Sequence, residues 1–145
     1  MQTNYSLTPG PVTIVRSETL SSNTYYILGT SYNALVGSGS ANSTARVQFR
    51  VNGFDQVEAV SGSNGNFGSI QNSTARLSIG ATVGTSGTIY ADPFGGDIGE
   101  LLVLPYIATV DSVQRVEGYL AHKWGLTANL PSDHPYRWMP PTPGS

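Results

Sequence analysis

The sequence predicts an all-β fold, an antiparallel β-sandwich, closed by one C-terminal amphipathic helix. Three observations carry that prediction. Short alternating or β-branched runs, separated by turns rich in Ser, Asn and Gly, fill most of the chain before Gly96. Residues 98–104 are then apolar at almost every position, as an interior strand covered on both faces would be. A capped helical pattern at 111–125 and an aromatic, proline-rich tail at 126–145 complete the chain.

The composition bounds what such a fold can do. A chain of 145 residues is read as a single domain, able to bury roughly two thirds of the surface exposed by its unfolded form. Charged residues make up only 11% of it, against about 25% in an ordinary soluble domain, so Ser, Thr, Asn and Gly must cover the outer faces. Seven Lys and Arg stand against nine Asp and Glu with no basic run, which lacks the phosphate-neutralising footprint of a nucleic-acid binder. No nucleic-acid partner is expected. The absence of cysteine removes disulfides, thiolate zinc sites and thiol chemistry together. The longest apolar run, 101–104, is far short of the roughly 20 residues that span a bilayer. The N-terminus shows no basic and apolar leader pattern, so the expectation is a soluble chain with no membrane partner and no secretion signal.

The elements follow in order. Residues 1–11 are set apart as an N-terminal arm by Pro9, Gly10 and Pro11, and 12–15 and 24–28 read as strands. Residues 46–51 alternate strictly, placing Val47, Phe49 and Val51 on a buried face and Arg46, Gln48 and Arg50 on a wet one. Asn52-Gly53 marks a hairpin with a return strand over 56–60. A three-residue loop, or a bulged two-residue one, would pair Phe49 with Val57 and Val47 with Ala59; that register keeps apolar residues on one face, and it predicts a bulge with Gly53 at positive φ. Residues 61–68 read as an exposed Gly/Asn loop holding Phe67. The motif Asn42-Ser43-Thr44-Ala45-Arg46 recurs as Asn72-Ser73-Thr74-Ala75-Arg76, two copies of one turn-into-strand solution rather than a repeat array, and a further strand is expected near 77–80. In the helix, Asp111 is the expected N-cap with Gln114 three residues on. Val113, Val116, Leu120 and Trp124 form its apolar stripe, Arg115, His122 and Lys123 point outward, and Gly125 stops it. The tail is too apolar to float and should clip back onto the domain.

Residues 96–104 (GDIGELLVL), 116–126 (VEGYLAHKWGL) and 130–136 (LPSDHPY) together resemble the C-terminal end of concanavalin A-like, or laminin G-like, jelly-roll domains found in phage virion proteins and large bacterial surface proteins. The resemblance implies further strands upstream of this beginning, so the chain reads as a shortened jelly roll whose exposed edges invite pairing. The function it implies is that of a non-catalytic structural protein of a phage particle. Such a capsid decoration or similar accessory protein would sit at the virion surface and contact other virion proteins or copies of itself, with Tyr136, Trp138, Pro140 and Pro141 as attachment residues. The alternative is a glycan- or receptor-binding module of a tail fibre or adhesin at an extracellular or cell surface. A surface glycan would then meet Phe67 as an aromatic platform, with Asn64 and Asn66 beside it.

Relatives of that superfamily include glycoside hydrolases, whose carboxyl groups stand about 5 to 9.5 Å apart. The best acidic pair here, Asp97 and Glu100, is spaced by three and would face opposite ways on a strand, so no enzyme activity is expected. Ser132-Asp133-His134 has the letters of a triad, but adjacent residues diverge, and a proline-bounded turn with Asp133 capping backbone N–H groups is the reading. No cofactor is expected. The only calcium candidates are Asp92 and Asp97, flanking Pro93-Phe94-Gly95-Gly96.

Overall fold

A computed structural model describes residues 2–7, 10–16, 19–33, 47–56, 58–62, 78–83, 89–91 and 93–142. In chain order these form β1 (Gln2–Leu7), β2 (Gly10–Arg16), β3 (Leu28–Tyr32), β4 (Val47–Val51), β5 (Phe54–Asp55), β6 (Glu58–Gly62), β7 (Thr82–Val83), β8 (Ile89–Ala91) and the helix α1 (Val110–Trp124). A single 3-10 turn, Thr127–Asn129, follows the helix. The chain separates into two compact units, Met1–Ser69 with Pro105–Ser145, and Ile70–Leu104.

The all-β sandwich expected from the sequence is not what these residues build. The first unit holds two antiparallel sheets of three strands, ordered β1-β2-β6 and β3-β4-β5, and the second a two-stranded ladder of β7 and β8. Two physical reasons account for the difference. Residues 98–104, expected as an interior strand, carry no ladder, and Ile98, Leu101, Leu102, Val103 and Leu104 are all exposed. An all-apolar run fixes neither partner nor period. The second reason lies in the hairpin after β4.

Asn52 and Gly53 have φ of 50° and 83°, the doubly positive pattern of the type I′ turn that Asn-Gly favours. Val51 pairs with Phe54 and Arg50 with Asp55, and Gln56 N–H donates to Phe49 O at 2.9 Å. This is the tight two-residue register rather than the expected bulged one, although Gly53 does take positive φ. The return strand ends at Asp55, and Ala59 and Val60 pair instead with Val15 and Ile14 in the other sheet. Apolar alternation across β4 and residues 56–60 therefore did not report a shared face, because the two runs belong to different sheets.

Other expectations shift by less. Residues 12–15 lie in β2, the strand expected at 24–28 runs over Leu28–Tyr32, and the stretch read as an arm contains β1. Residues 78–80 form no strand. The repeated Asn-Ser-Thr-Ala-Arg motifs lie outside the described residues.

The helix begins two residues earlier than an Asp111 cap would set it. Thr109, not Asp111, is the N-cap, its side chain accepting from Ser112 N–H at 3.2 Å, while Gly125 at φ 69° ends the helix as anticipated. Asp111 sits in the first turn and accepts from Arg115 Nε at 2.8 Å. The buried face is also rotated from the expected stripe: Glu117, Gly118 and Ala121 are buried, Val113, Val116 and Leu120 are half-buried, and Trp124 is exposed. Ala121 packs with Ile27 and Leu130, flanked by Leu120 and Leu126. Among the described residues this small core lies where strand entry, helix and tail meet, not between two sheets.

Candidate functional site: a buried Arg–Glu–His clasp

The most organised chemistry in the described residues joins the β4–β5 hairpin, α1 and the tail. It starts at Asn52, whose N–H donates to Ile27 O at 2.8 Å while its side-chain Oδ1 accepts from Ile27 N–H at 2.9 Å. That pair ties the turn to the segment entering β3. Gly53 is then required twice, by its positive φ and by space: a Cβ there would lie 2.9 Å from Pro131 Cδ and 3.3 Å from His134 Cδ2. The tail is thus seated on the turn.

Arg50, next to the turn, was expected on a wet face, yet its side chain is only 13% exposed. Its Nε donates to Glu117 Oε1 at 2.7 Å and its Nη2 to Glu117 Oε2 at 3.2 Å, a bidentate pair of the kind the planar guanidinium suits. Nη2 also donates to Gly53 O at 2.5 Å, and Nη1 pairs with Asp55, which Gln48 holds from the other side at 2.8 Å. Burial works against the Arg50 charge. Hydrogen bonding and Coulombic attraction from Glu117, joined by Asp55, outweigh it and hold the guanidinium above its ordinary range.

His134 completes the constellation with a side chain 1% exposed. Tyr136 N–H donates to His134 Nδ1 at 3.2 Å, so Nδ1 is the accepting nitrogen; the proton sits on Nε2, which donates to Glu117 Oε2 at 3.3 Å. Glu117 therefore receives donors from a strand on one side and from the tail on the other. Both ring nitrogens of His134 are occupied, leaving no free lone pair for a general base. The turn around it is closed by backbone, His134 N–H to Pro131 O at 3.1 Å and Arg137 N–H to His134 O at 3.0 Å. Arg137 also donates from Nη1 to Leu130 O. Ser132 and Asp133 are exposed while His134 is buried, so the three letters diverge as a turn requires.

The tail continues over the helix. A Cβ on Gly118 would overlap Tyr136 Cβ and stand 3.3 Å from Pro141 Cδ. His122, expected to point outward, is half-buried and donates from Nε2 to Tyr136 O at 3.0 Å. Beyond this contact Trp138 is 79% exposed, with Met139 and Pro140 also exposed and the Arg137 guanidinium 5.3 Å from the indole centroid. Of the four expected attachment residues, Trp138 and Pro140 face solvent, and Tyr136 and Pro141 pack at least in part on the helix.

The remaining candidates separate. Phe67, Asn64, Asn66 and Asp92 lie outside the described residues. Asp97 is exposed, and among the described residues no group of three or more His, Cys, Asp or Glu could hold a metal ion. No helix among them is long and apolar enough to cross a membrane. Glu117 was not among the residues that the sequence singled out. Its position was the available signal: an acid one turn from Val113 and Ala121 on the helix needs a buried partner, and Gly118 beside it, costly in a helix interior, marks a close approach.

Comparison with known proteins finds no matching family model, no curated relative and no solved structure.

Proposed function

We propose that this chain is a non-catalytic structural component of a multi-chain particle, with the phage virion suggested by the sequence resemblance as its setting, and that it attaches to its neighbours through uncovered apolar surface. The observation that carries the reading is the row Ile98, Leu101, Leu102, Val103 and Leu104, every member exposed. Single exposed apolar residues need no explanation, but a contiguous row of them marks an interaction surface. The clasp supports the same reading, because its histidine and glutamate are consumed in holding tail to helix and hairpin. Size-exclusion chromatography with light scattering tests it: a defined assembly above monomer mass is expected, weakened by a Leu101→Asp/Val103→Asp double substitution. A chain monomeric at every accessible concentration, with selective binding on a glycan array, would overturn the reading in favour of the glycan-binding alternative.

A further inference from the structure

The turn that seats the tail is made of a dipeptide able to react with itself. We propose that Asn52-Gly53 is a covalent conversion site guarded by the clasp: while the clasp is closed Asn52 stays an amide, and once it opens the Gly53 nitrogen attacks the Asn52 side chain, leaving an isoaspartate that keeps the tail from returning.

The reaction needs only this chain and water. A solvent base removes the Gly53 N–H proton, the nitrogen bonds to Asn52 Cγ, and the Cγ–Nδ2 bond breaks with release of ammonia. Water then opens the cyclic imide at either carbonyl, giving aspartate or isoaspartate with no change of oxidation state. Attack is easiest where the following residue carries no side chain, and glycine is what this turn demands: Gly53 has φ of 83°, and a Cβ there would lie 2.9 Å from Pro131 Cδ. The fold therefore requires the dipeptide most open to cyclisation.

Three restraints hold the reaction back in the closed clasp. Asn52 Oδ1 accepts from Ile27 N–H at 2.9 Å and Asn52 N–H donates to Ile27 O at 2.8 Å, so Cγ cannot swing toward Gly53 without breaking the first of these bonds. Gly53 is buried beneath Pro131, His134 and Leu130 of the tail, which keeps solvent base away from it. Gly53 O also accepts from Arg50 Nη2 at 2.5 Å, fixing the residue whose nitrogen would have to move. Departure of the tail removes the cover. Isoaspartate then routes the main chain through an extra methylene, and the two-residue turn that pairs Val51 with Phe54 loses its length. Pro131 and His134 no longer have a seat, so a reversible opening becomes an irreversible one.

Incubation in mildly alkaline buffer with and without urea, read by peptide mass spectrometry, tests the guard. Conversion at Asn52 should run about tenfold or more slower in the native chain than in urea, because it waits on local opening. Asn64-Gly65, the same dipeptide elsewhere in the chain, should match Asn52 in urea and so fixes the intrinsic rate. Equal rates at Asn52 with and without urea would overturn the guard. For the second step, Asn64→Gln confines conversion to position 52; chains converted in urea are returned to native buffer and probed for trypsin cleavage after Arg137. Rapid cleavage is expected in chains carrying isoaspartate at position 52, and slow cleavage in Asn52→Asp, which keeps the acceptor for Ile27 N–H. Isoaspartate chains as resistant as unconverted ones would overturn the irreversible step. Equal cleavage of isoaspartate and Asn52→Asp chains would overturn it too, since charge rather than backbone length would then eject the tail.

Discussion

At the scale of single residues, Glu117 is the position on which the clasp depends. Its carboxylate is the shared acceptor for Arg50 and His134, and removing one partner of a buried ion pair leaves the other charge uncompensated. Glu117→Ala should therefore lower the unfolding free energy by about 3 kcal/mol in urea titration. The double substitution Arg50→Met/Glu117→Leu should cost much less than the sum of the single changes, since both charges leave together. The pH dependence has a defined sign. Arg50 is held above its ordinary range, so its contribution is fully present below the unfolded-state value and is lost only as pH rises through the higher folded value. The coupling energy of Arg50 and Glu117 in a double-mutant cycle should consequently stay constant from neutral to moderately alkaline pH. Gly118 gives a complementary test. Alanine is favoured over glycine in a helix by about 1 kcal/mol, yet here its Cβ would overlap Tyr136. Gly118→Ala should lower the melting temperature and expose the tail to proteolysis, and an increase in stability would show that the tail does not bear on the helix.

At the scale of elements, what was legible and what was not divide along one line: patterns confined to neighbouring residues were readable, and patterns needing a distant partner were not. Gly125 as helix stop and Gly53 at positive φ followed from backbone sterics of a few residues. The register after Asn52-Gly53 did not, because residues 58–62 leave for another sheet and their alternation answers to β2 rather than β4. Arg50 was read as wet from alternation alone, since its partner lies 67 residues away on a helix. Even the N-cap was misplaced by two positions, Thr109 and Asp111 both being competent cap residues. Thr109→Ala should cost about 1 kcal/mol by thermal unfolding, whereas Asp111→Ala, losing only an exposed pair with Arg115, should leave the melting temperature nearly unchanged. The reverse order would restore Asp111 as the cap.

At the scale of the whole molecule, the tail covers the hairpin turn and the helix among the described residues of the first unit. Leu130 and His134 are buried against the hairpin turn and Tyr136 against the helix, so residues beyond the helix provide a substantial part of the core of the first unit. Removing residues 130–145 should abolish cooperative unfolding of that unit, seen as loss of a sharp near-ultraviolet transition, while the isolated helix retains little stability of its own. A truncated chain with an unchanged transition would mean that the sheets suffice.

The order in which residues leave the ribosome gives the clasp a further consequence. Arg50 is made long before Glu117, and Glu117 before His134, so the guanidinium waits through 67 residues of synthesis without its carboxylate, and the carboxylate through the next turns without its second donor. Joining them closes a loop of 67 residues, an entropic cost met only once the helix and tail exist to reward it. The closing turn thus acts as a timer: hairpin and helix are assembled locally and early, and the clasp closes only after His134 and Tyr136 have emerged.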